Sequence, residues 1–143
     1  PAATEKAPAA GAIRNGVHVQ FMLLIYETPD DFGMRSDEQP TELIGAWRAY
    51  YRALIDAGVY VGGAPLEAPA TGATVRVHGG QRRVQDGPYA ETKEQLGGQL
   101  ILELPSLDDA LDWAARCPTA ATGAVEVRPV SPGIHDLVVS GNG

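Results

Sequence analysis

The order of strand-like and helix-like segments is the feature of this sequence that most constrains its fold. Residues 17–27 are rich in aromatic and branched apolar side chains, which is typical of a central strand covered on both faces. After residues 28–37, whose loop composition predicts a lid over a site, apolar residues recur at steps of three and four from Pro40 onward. This spacing predicts an amphipathic helix that ends at Gly58, where a left-handed cap belongs.

A strand and a hairpin are predicted after this helix. Residues 59–66 indicate a strand, and Gly62 and Gly63 inside it indicate a bulge or a close approach, either by a ligand or by a neighbouring strand. A Gly-Gly pair at residues 79–80 is typical of the two-residue turn of a β-hairpin. The predicted strands of this hairpin are 74–78 and 82–85.

The C-terminal part of the chain predicts a second strand–helix–strand unit. Residues 99–104 indicate a strand, and Ser106 followed three residues later by Asp109 resembles the capping box that begins a helix. Pro118 ends this second helix, and residues 125–130 indicate the final strand.

These segments together predict an α+β fold. Their order is the split β-α-β arrangement called ferredoxin-like, with an extra hairpin inserted between the two halves. A sheet that carries helices on one face needs cover for its other apolar face, and a second subunit can supply it. We therefore expect a homodimer.

Length and composition indicate one folded domain. A chain of 143 residues with 44% hydrophobic residues is long enough for one substantial core and too short for two ordinary domains. Residues 1–16 are rich in Ala, Pro and Gly and lack the apolar stretch of a signal peptide, so we expect a flexible extension. The predicted domain covers residues 17–130, and residues 131–143 are expected to form a C-terminal tail.

Charge and cysteine content disfavour several classes of partner. A net charge of −7 repels nucleic acids and anionic membranes, and no apolar run approaches the roughly twenty residues that a membrane span needs. One cysteine, Cys117, cannot form a disulfide framework, which suggests a reducing compartment and a cytoplasmic protein. Its place on the apolar stripe of the second helix predicts a buried hydrophobe rather than a nucleophile.

The segment 86–98 is the predicted wall of a functional site. It places three carboxylates, Asp86, Glu91 and Glu94, within nine residues and adds Lys93 between them. Crowded carboxylates raise the pKa of one member, so these three are candidate catalytic acids and bases for proton transfer. The alternative interpretation is that they are solvated loop charges or that they cap a short turn.

The same segment resembles a family signature. Residues 86–98 are similar to the DGPF signature (DGPF-AETKE-x-LGG) of the YCII-related proteins, with Tyr89 in place of the usual Phe. The resemblance covers roughly residues 20–130 and includes three further blocks, at 22–26, 107–118 and 125–130. It implies a dimeric α/β-barrel, in which two sheets pack face to face and enclose a pocket.

The resemblance also implies a class of activity. Related small dimeric barrels include dehydrochlorinases and isomerases, so we expect a cofactor-independent lyase or isomerase that transfers a proton on a small organic substrate. In the YciI branch of the family a helical histidine takes part in the suspected catalytic pair, and that position falls on Trp47 here. The alternative is a non-catalytic accessory or regulatory protein that binds a small molecule or another protein.

Four residues are predicted to bind substrate. Tyr26 and Arg128 lie at the ends of the first and last predicted strands, so a sheet can bring a phenol and a guanidinium to one rim. The guanidinium can bind a substrate carboxylate with two hydrogen bonds, or it can form an internal salt bridge. Tyr89 and Lys93 of the signature segment complete the predicted substrate-binding set.

The sequence predicts neither a metal nor a nucleotide cofactor. His18, His78 and His135 are far apart, and no pair has the spacing of metal ligands. No glycine-rich phosphate loop follows a strand and begins a helix. Trp47 and Trp113 are predicted to pack in the core or at the dimer interface rather than to bind substrate.

Overall fold

A computed structural model describes residues 18–33 and 42–141, and these form a mixed α/β fold with two antiparallel sheets. The six strands are β1 (Val19–Glu27), β2 (Tyr60–Pro65), β3 (Ala73–His78), β4 (Gln81–Asp86), β5 (Gln95–Leu104) and β6 (Ala124–Pro129). The four α-helices in these ranges are α1 (Pro29–Gly33), α2 (Glu42–Asp56), α3 (Leu107–Arg116) and α4 (Pro132–Val139). Short 3₁₀ turns span Pro69–Thr71 and Pro118–Ala121.

Four strands form the main sheet in the order β2-β5-β1-β6, and every neighbouring pair is antiparallel. Alternate residues of β1 and β5 are buried on one face, where they pack against α2 and α3. Leu23, Leu54, Leu100 and Trp113 are members of this core. The other face of β1 carries half-buried side chains, because successive residues of a strand point to opposite faces.

The three predicted helix ends that fall on described residues, at Gly58, Ser106 and Pro118, are confirmed, because α2 ends at Asp56 and α3 spans Leu107–Arg116. Gly58, two residues after the end of α2, has φ of +72°, while the predicted start near Pro40 lies outside the described residues. The Ser106 hydroxyl accepts a hydrogen bond from the Asp109 N–H (3.2 Å) and donates one to the Asp109 carboxylate (2.9 Å) at the start of α3. These two bonds connect the cap residue to the first turn of the helix.

The glycine pair in β2 marks a bulge and a close approach by a neighbouring strand. The pairing of β2 with β5 shifts register between Tyr60 and Gly62. Gly63 has φ of +154°, and a Cβ built on it would lie 2.3 Å from the backbone oxygen of Gln99 in β5. A side chain at this position would therefore collide with the central strand.

The predicted hairpin is confirmed as a separate two-stranded sheet. Gly79 and Gly80 have φ of +59° and +77°, the left-handed values that a tight hairpin turn with a right-handed twist requires. Strands β3 and β4 pair with each other and with no other strand of the described residues. Nearly all of their side chains are exposed.

Two predictions of local structure need correction. The segment predicted as a loop at 28–37 contains α1, which is held at its start by hydrogen bonds between Thr28 and Asp31, while residues 34–37 lie outside the described residues. Strand β5 begins at Gln95 rather than at residue 99, so the end of the signature segment is strand. The segment 131–143 includes the exposed helix α4.

None of the helices within the described ranges is long and apolar enough to span a membrane.

Candidate functional site

A pocket of about 560 Å³ lies between α2 and the helix-covered face of the sheet. Its walls come from the end of β1, from α1 and α2, and from residues 64–68 and 97–99. This volume falls within the range of roughly 300–1,000 Å³ that is usual for small-molecule sites. The pocket is therefore large enough for a small organic ligand.

Aromatic side chains form much of the pocket wall. Phe32 of α1 and both Trp47 and Tyr51 of α2 line it. The Trp47 and Tyr51 rings are 6.0 Å apart between centroids, and Tyr51 also contacts the Tyr60 ring at 5.6 Å. Burial raises the pKa of the Tyr51 hydroxyl, with a smaller contribution from Tyr60. These rings give the pocket an apolar surface that favours a partly apolar ligand.

The carboxylate of Glu27 lies in the same wall. Glu27 is the last residue of β1 and is only 3% exposed. It occupies the same face of the strand as Phe21, Leu23 and Ile25, because the burial pattern of β1 alternates with period two. Carboxylates are seldom buried in proteins, so one in the wall of a pocket is a candidate functional group.

The sequence interpretation missed Glu27, although a signal was present. A strict alternation through β1 places position 27 on the core-facing side, where a charged residue is unusual. The continuous apolar content of the strand suggested burial on both faces, and this obscured the difference between them. The alternation therefore contained the information that identifies Glu27.

Two glycines of the signature segment also lie in the pocket wall. Gly97 and Gly98 are buried, and a Cβ on Gly98 would lie 2.9 Å from the backbone oxygen of Ala64 in β2. A glycine is therefore needed there for the close approach of the two strands. Gln99 follows them in the wall, and its side-chain oxygen is buried without a hydrogen-bond partner among the described residues.

The predicted catalytic carboxylates lie outside this pocket. Asp86 ends β4 and is exposed, and Glu91 and Glu94 are exposed in the connection between β4 and β5. The pocket wall contains none of the three among its described residues. Their assignment as proton carriers stays a prediction.

The other two signature residues of the predicted site share this exposed segment. Tyr89 and Lys93 are exposed, and the Arg76 guanidinium of the hairpin lies 5.2 Å from the centroid of the Tyr89 ring. The Gln95 side-chain amide donates hydrogen bonds to the backbone oxygens of Ala90 (2.7 Å) and Thr92 (2.9 Å). These bonds shape the loop, and substrate binding by Tyr89 and Lys93 stays a prediction.

Tyr26 and Arg128 share the face of the sheet opposite to the pocket. The antiparallel register pairs Tyr26 with Ala124 and Arg128 with Met22, so the two side chains do not come from the same end of the sheet. The Tyr26 hydroxyl donates a hydrogen bond to the Glu126 carboxylate at 3.0 Å. Burial raises the pKa of Tyr26, as does this bond, while Arg128 opposes the shift. Substrate binding by Tyr26 and Arg128 stays a prediction.

Trp113 and Cys117 are both buried in the core rather than placed in the pocket wall. Trp113 is buried in the core, as predicted, and its backbone oxygen accepts a hydrogen bond from the Tyr50 hydroxyl at 2.7 Å. Cys117 is buried, and burial raises the pKa of its thiol to about 11. Within residues 18–33 and 42–141, no group of three potential metal ligands comes together.

Comparison with known proteins agrees with the sequence resemblance. The model of the YCII-related domain matches residues 19–133, and the chain belongs to this family. The uncharacterised protein R00369 of Rhizobium meliloti (strain 1021) is 35% identical over 113 residues, which cover 78% of this chain and 91% of that protein.

The chain is also similar to a solved structure. That structure is the 5-chloro-2-hydroxyhydroquinone dehydrochlorinase TftG of Burkholderia phenoliruptrix AC1100, in complex with 2,5-dihydroxybenzoquinone. The TM-score is 0.47 at 19% sequence identity, and the match covers 81% of this chain and 97% of that chain.

Proposed function

We propose that this protein is an enzyme that transfers a proton on a small organic substrate held in the pocket between α2 and the sheet. The observation that carries the proposal is the Glu27 carboxylate, which is almost fully buried and lies in the wall of a 560 Å³ pocket. A carboxylate in such a position can accept a proton from a substrate carbon next to a carbonyl group.

The two reaction classes differ in the step after proton abstraction. If Glu27 returns the proton to another substrate atom, the reaction is an isomerisation. If the electron pair of the broken C–H bond forms a new double bond while a leaving group departs with the electron pair of its own bond to carbon, the reaction is an elimination and the enzyme is a lyase. Neither course needs a cofactor or a metal, which agrees with the cofactor-independent activity expected from the sequence. The rings of Trp47 and Tyr51 give the reacting atoms an apolar surrounding in both cases.

We also propose the ferredoxin-like arrangement and the homodimer that were expected from the sequence. The strand order β2-β5-β1-β6, with a helix after β1 and another after β5, supports the ferredoxin-like arrangement. Half-buried apolar side chains on the outer face, including Met22, Leu24 and Ile101, support a homodimer in which two such faces pack together as a barrel. Sedimentation equilibrium at low micromolar concentration tests this, because a well-folded species at 15.0 kDa would exclude the dimer. We place the protein in the cytoplasm because Cys117 is a free thiol.

A non-catalytic binding protein is the second candidate. The exposed apolar residues of the hairpin and of α4 favour it, because such surfaces often mark protein contacts. An open cavity favours an enzyme, whereas an interior filled by side chains favours a binding protein. The structure has an open pocket, although the described part of its wall contains none of Tyr26, Asp86, Glu91 and Arg128.

The experiment first identifies a ligand and then compares carboxylates. A thermal-shift screen against a metabolite panel is suitable, because a ligand at a hundred times its Kd stabilises the fold by about 2.7 kcal/mol. With that compound, Glu27→Gln should lower turnover by about a hundredfold or more and leave the ligand-induced shift in place. Glu67→Gln is the matched control, because Glu67 also lines the pocket but is exposed.

Substitution of the three carboxylates of the signature segment tests the alternative location of the proton carrier. Asp86→Asn, Glu91→Gln and Glu94→Gln should each retain turnover within about tenfold. If one of them removes turnover and Glu27→Gln does not, the proton carrier lies in the signature loop. If no carboxylate variant changes turnover, the proposed acid–base chemistry is wrong.

A further inference from the structure

The hairpin β3–β4 presents an apolar face without cover in the described chain. Val75 and Val84 are directly opposite each other in the register, and Val77 follows on the same face. Their side chains are 56%, 52% and 70% exposed, respectively. An isolated two-stranded hairpin is marginally stable in water, so this face has much to gain from a partner.

The hairpin is also a basic element in an acidic protein. It contains three arginines, Arg76, Arg82 and Arg83, and one acidic residue, Asp86, whereas the whole chain has a net charge of −7. Arg82 is opposite Val77 in the register and therefore belongs to the apolar face. The expected partner of this face is an apolar surface with acidic neighbours.

Helix α3 carries a surface of this kind on its solvent side. Leu107 and Leu111 are 48% and 47% exposed, although the helix buries its opposite side in the core. Asp108 and Asp112 are exposed and follow the two leucines by one position each. The two leucines are four residues apart, and so are the two aspartates. The leucines therefore form one short stripe along the helix, and the aspartates form a second stripe beside it.

The two surfaces have matching dimensions. Four residues of an α-helix rise about 6 Å, which separates Leu107 from Leu111. Two residues of an antiparallel strand extend about 6.8 Å, which separates Val75 from Val77. An apolar pair on the hairpin can therefore contact the leucine pair on the helix while Arg82 reaches an aspartate.

We propose that the hairpin of one chain docks on the solvent side of α3 in a second copy of the chain. Each chain carries both the basic apolar hairpin and the acidic apolar helix, so two chains can exchange this contact without another protein. Both surfaces are exposed within the single chain. This contact uses neither the outer face of the sheet nor the pocket, so it does not depend on the proposed activity.

Cross-linking between two different single-cysteine additions tests the proposal. Val77→Cys protein is mixed with Leu111→Cys protein and treated with a short bismaleimide, so a linked pair that contains one of each must come from two chains. Native Cys117 is buried and contributes little. The control mixture pairs Val77→Cys with Ile55→Cys, another exposed helical position. We expect the Val77–Leu111 mixture to link about tenfold faster than this control.

Charge reversal decides whether the contact is specific. Arg82→Glu in the first protein, or Asp112→Arg in the second, should each slow linking by about tenfold, because like charges then face each other. The two reversals combined should restore the rate. Equal linking in the control mixture would overturn the proposal, and so would loss of linking without recovery in the combined mixture. Each variant changes exposed residues, and circular dichroism confirms that each remains folded.

Discussion

The four-stranded sheet and the helices packed on it differ sharply from the other elements in how far their apolar side chains are buried. Strands β1 and β5 and helices α2 and α3 contribute side chains that are fully buried, such as Leu23, Leu100 and Trp113. The hairpin β3–β4 and the helix α4 leave their apolar side chains exposed, including Val84 and Leu137. Stability is therefore concentrated in one part of the molecule, and the other part is available for local opening or for binding.

The candidate catalytic carboxylates are also divided between the buried part and the exposed part of the molecule. The Glu27 carboxylate is buried at the end of a central strand, where a substrate can be separated from water. Asp86 at the end of the hairpin, and Glu91 and Glu94 in the connection after it, have exposed carboxylates. The conspicuous charge cluster in the sequence and the buried carboxylate of the pocket are therefore different groups.

The largest expected difference between the two parts is in the cost of removing an apolar side chain. Leu100→Ala should lower the free energy of unfolding by about 2–5 kcal/mol, because it leaves a cavity in a fully buried position. Val84→Ala, at low protein concentration, should lower it by less than about 0.5 kcal/mol. Urea denaturation monitored by circular dichroism measures both values.

Protein concentration sharpens this first comparison. If the hairpin docks on a second chain, the cost of Val84→Ala should rise with protein concentration, while that of Leu100→Ala should change much less with concentration. Equal costs for the two substitutions at low concentration would contradict the division into a stabilising part and an exposed part.

The next effect is a loss of stability at alkaline pH that originates in the buried part. Burial raises the pKa of the Cys117 thiol from 9.0 to about 11. Between these values the unfolded chain binds fewer protons than the folded chain, so rising pH favours unfolding. The thiol's contribution is complete below pH 9, falls by roughly 1 kcal/mol for each pH unit above it, and is lost above pH 11.

Cys117→Ala is the control for this pH dependence. The variant should be less stable at neutral pH, because it loses a buried sulfur, but it should lose less stability than the wild type between pH 8 and pH 10. Chemical denaturation at several pH values measures the difference. A wild-type profile that matches the variant in this range would show that the thiol does not stay protonated in the fold.

Local sequence signals predicted most of the strands and helices. Ser106 with Asp109, the turn at Gly79 and the cap at Gly58 were each recognisable because their conformations depend on neighbouring residues. The start of β5 at Gln95 was not recognisable from the sequence, because the pairing of Gln95 with Glu27 is a contact between distant parts of the chain. Such pairing leaves only a weak local signal.

The candidate site was harder to predict than the fold. The signature segment was identified and its Gly97-Gly98 pair does line the pocket, but its charged residues lie outside that wall. The pocket combines Glu27 with residues of α2 and of the segment after β2, which only the tertiary structure brings together. Charge density along the sequence therefore identified an exposed segment rather than the buried carboxylate.

The smallest expected effect compares two serines that precede helices in the two parts of the molecule. The Ser106 hydroxyl caps α3 by accepting a hydrogen bond from the Asp109 N–H, whereas Ser131 precedes the exposed helix α4 and its side chain makes no capping bond. Ser106→Ala should lower the free energy of unfolding by about 1 kcal/mol. Ser131→Ala should change it by less than about 0.5 kcal/mol, because no cap is lost and because α4 can unfold without exposing the core. Urea denaturation of the two variants beside the wild type measures both changes, and an equal loss from the two substitutions would show that α4 is coupled to the core.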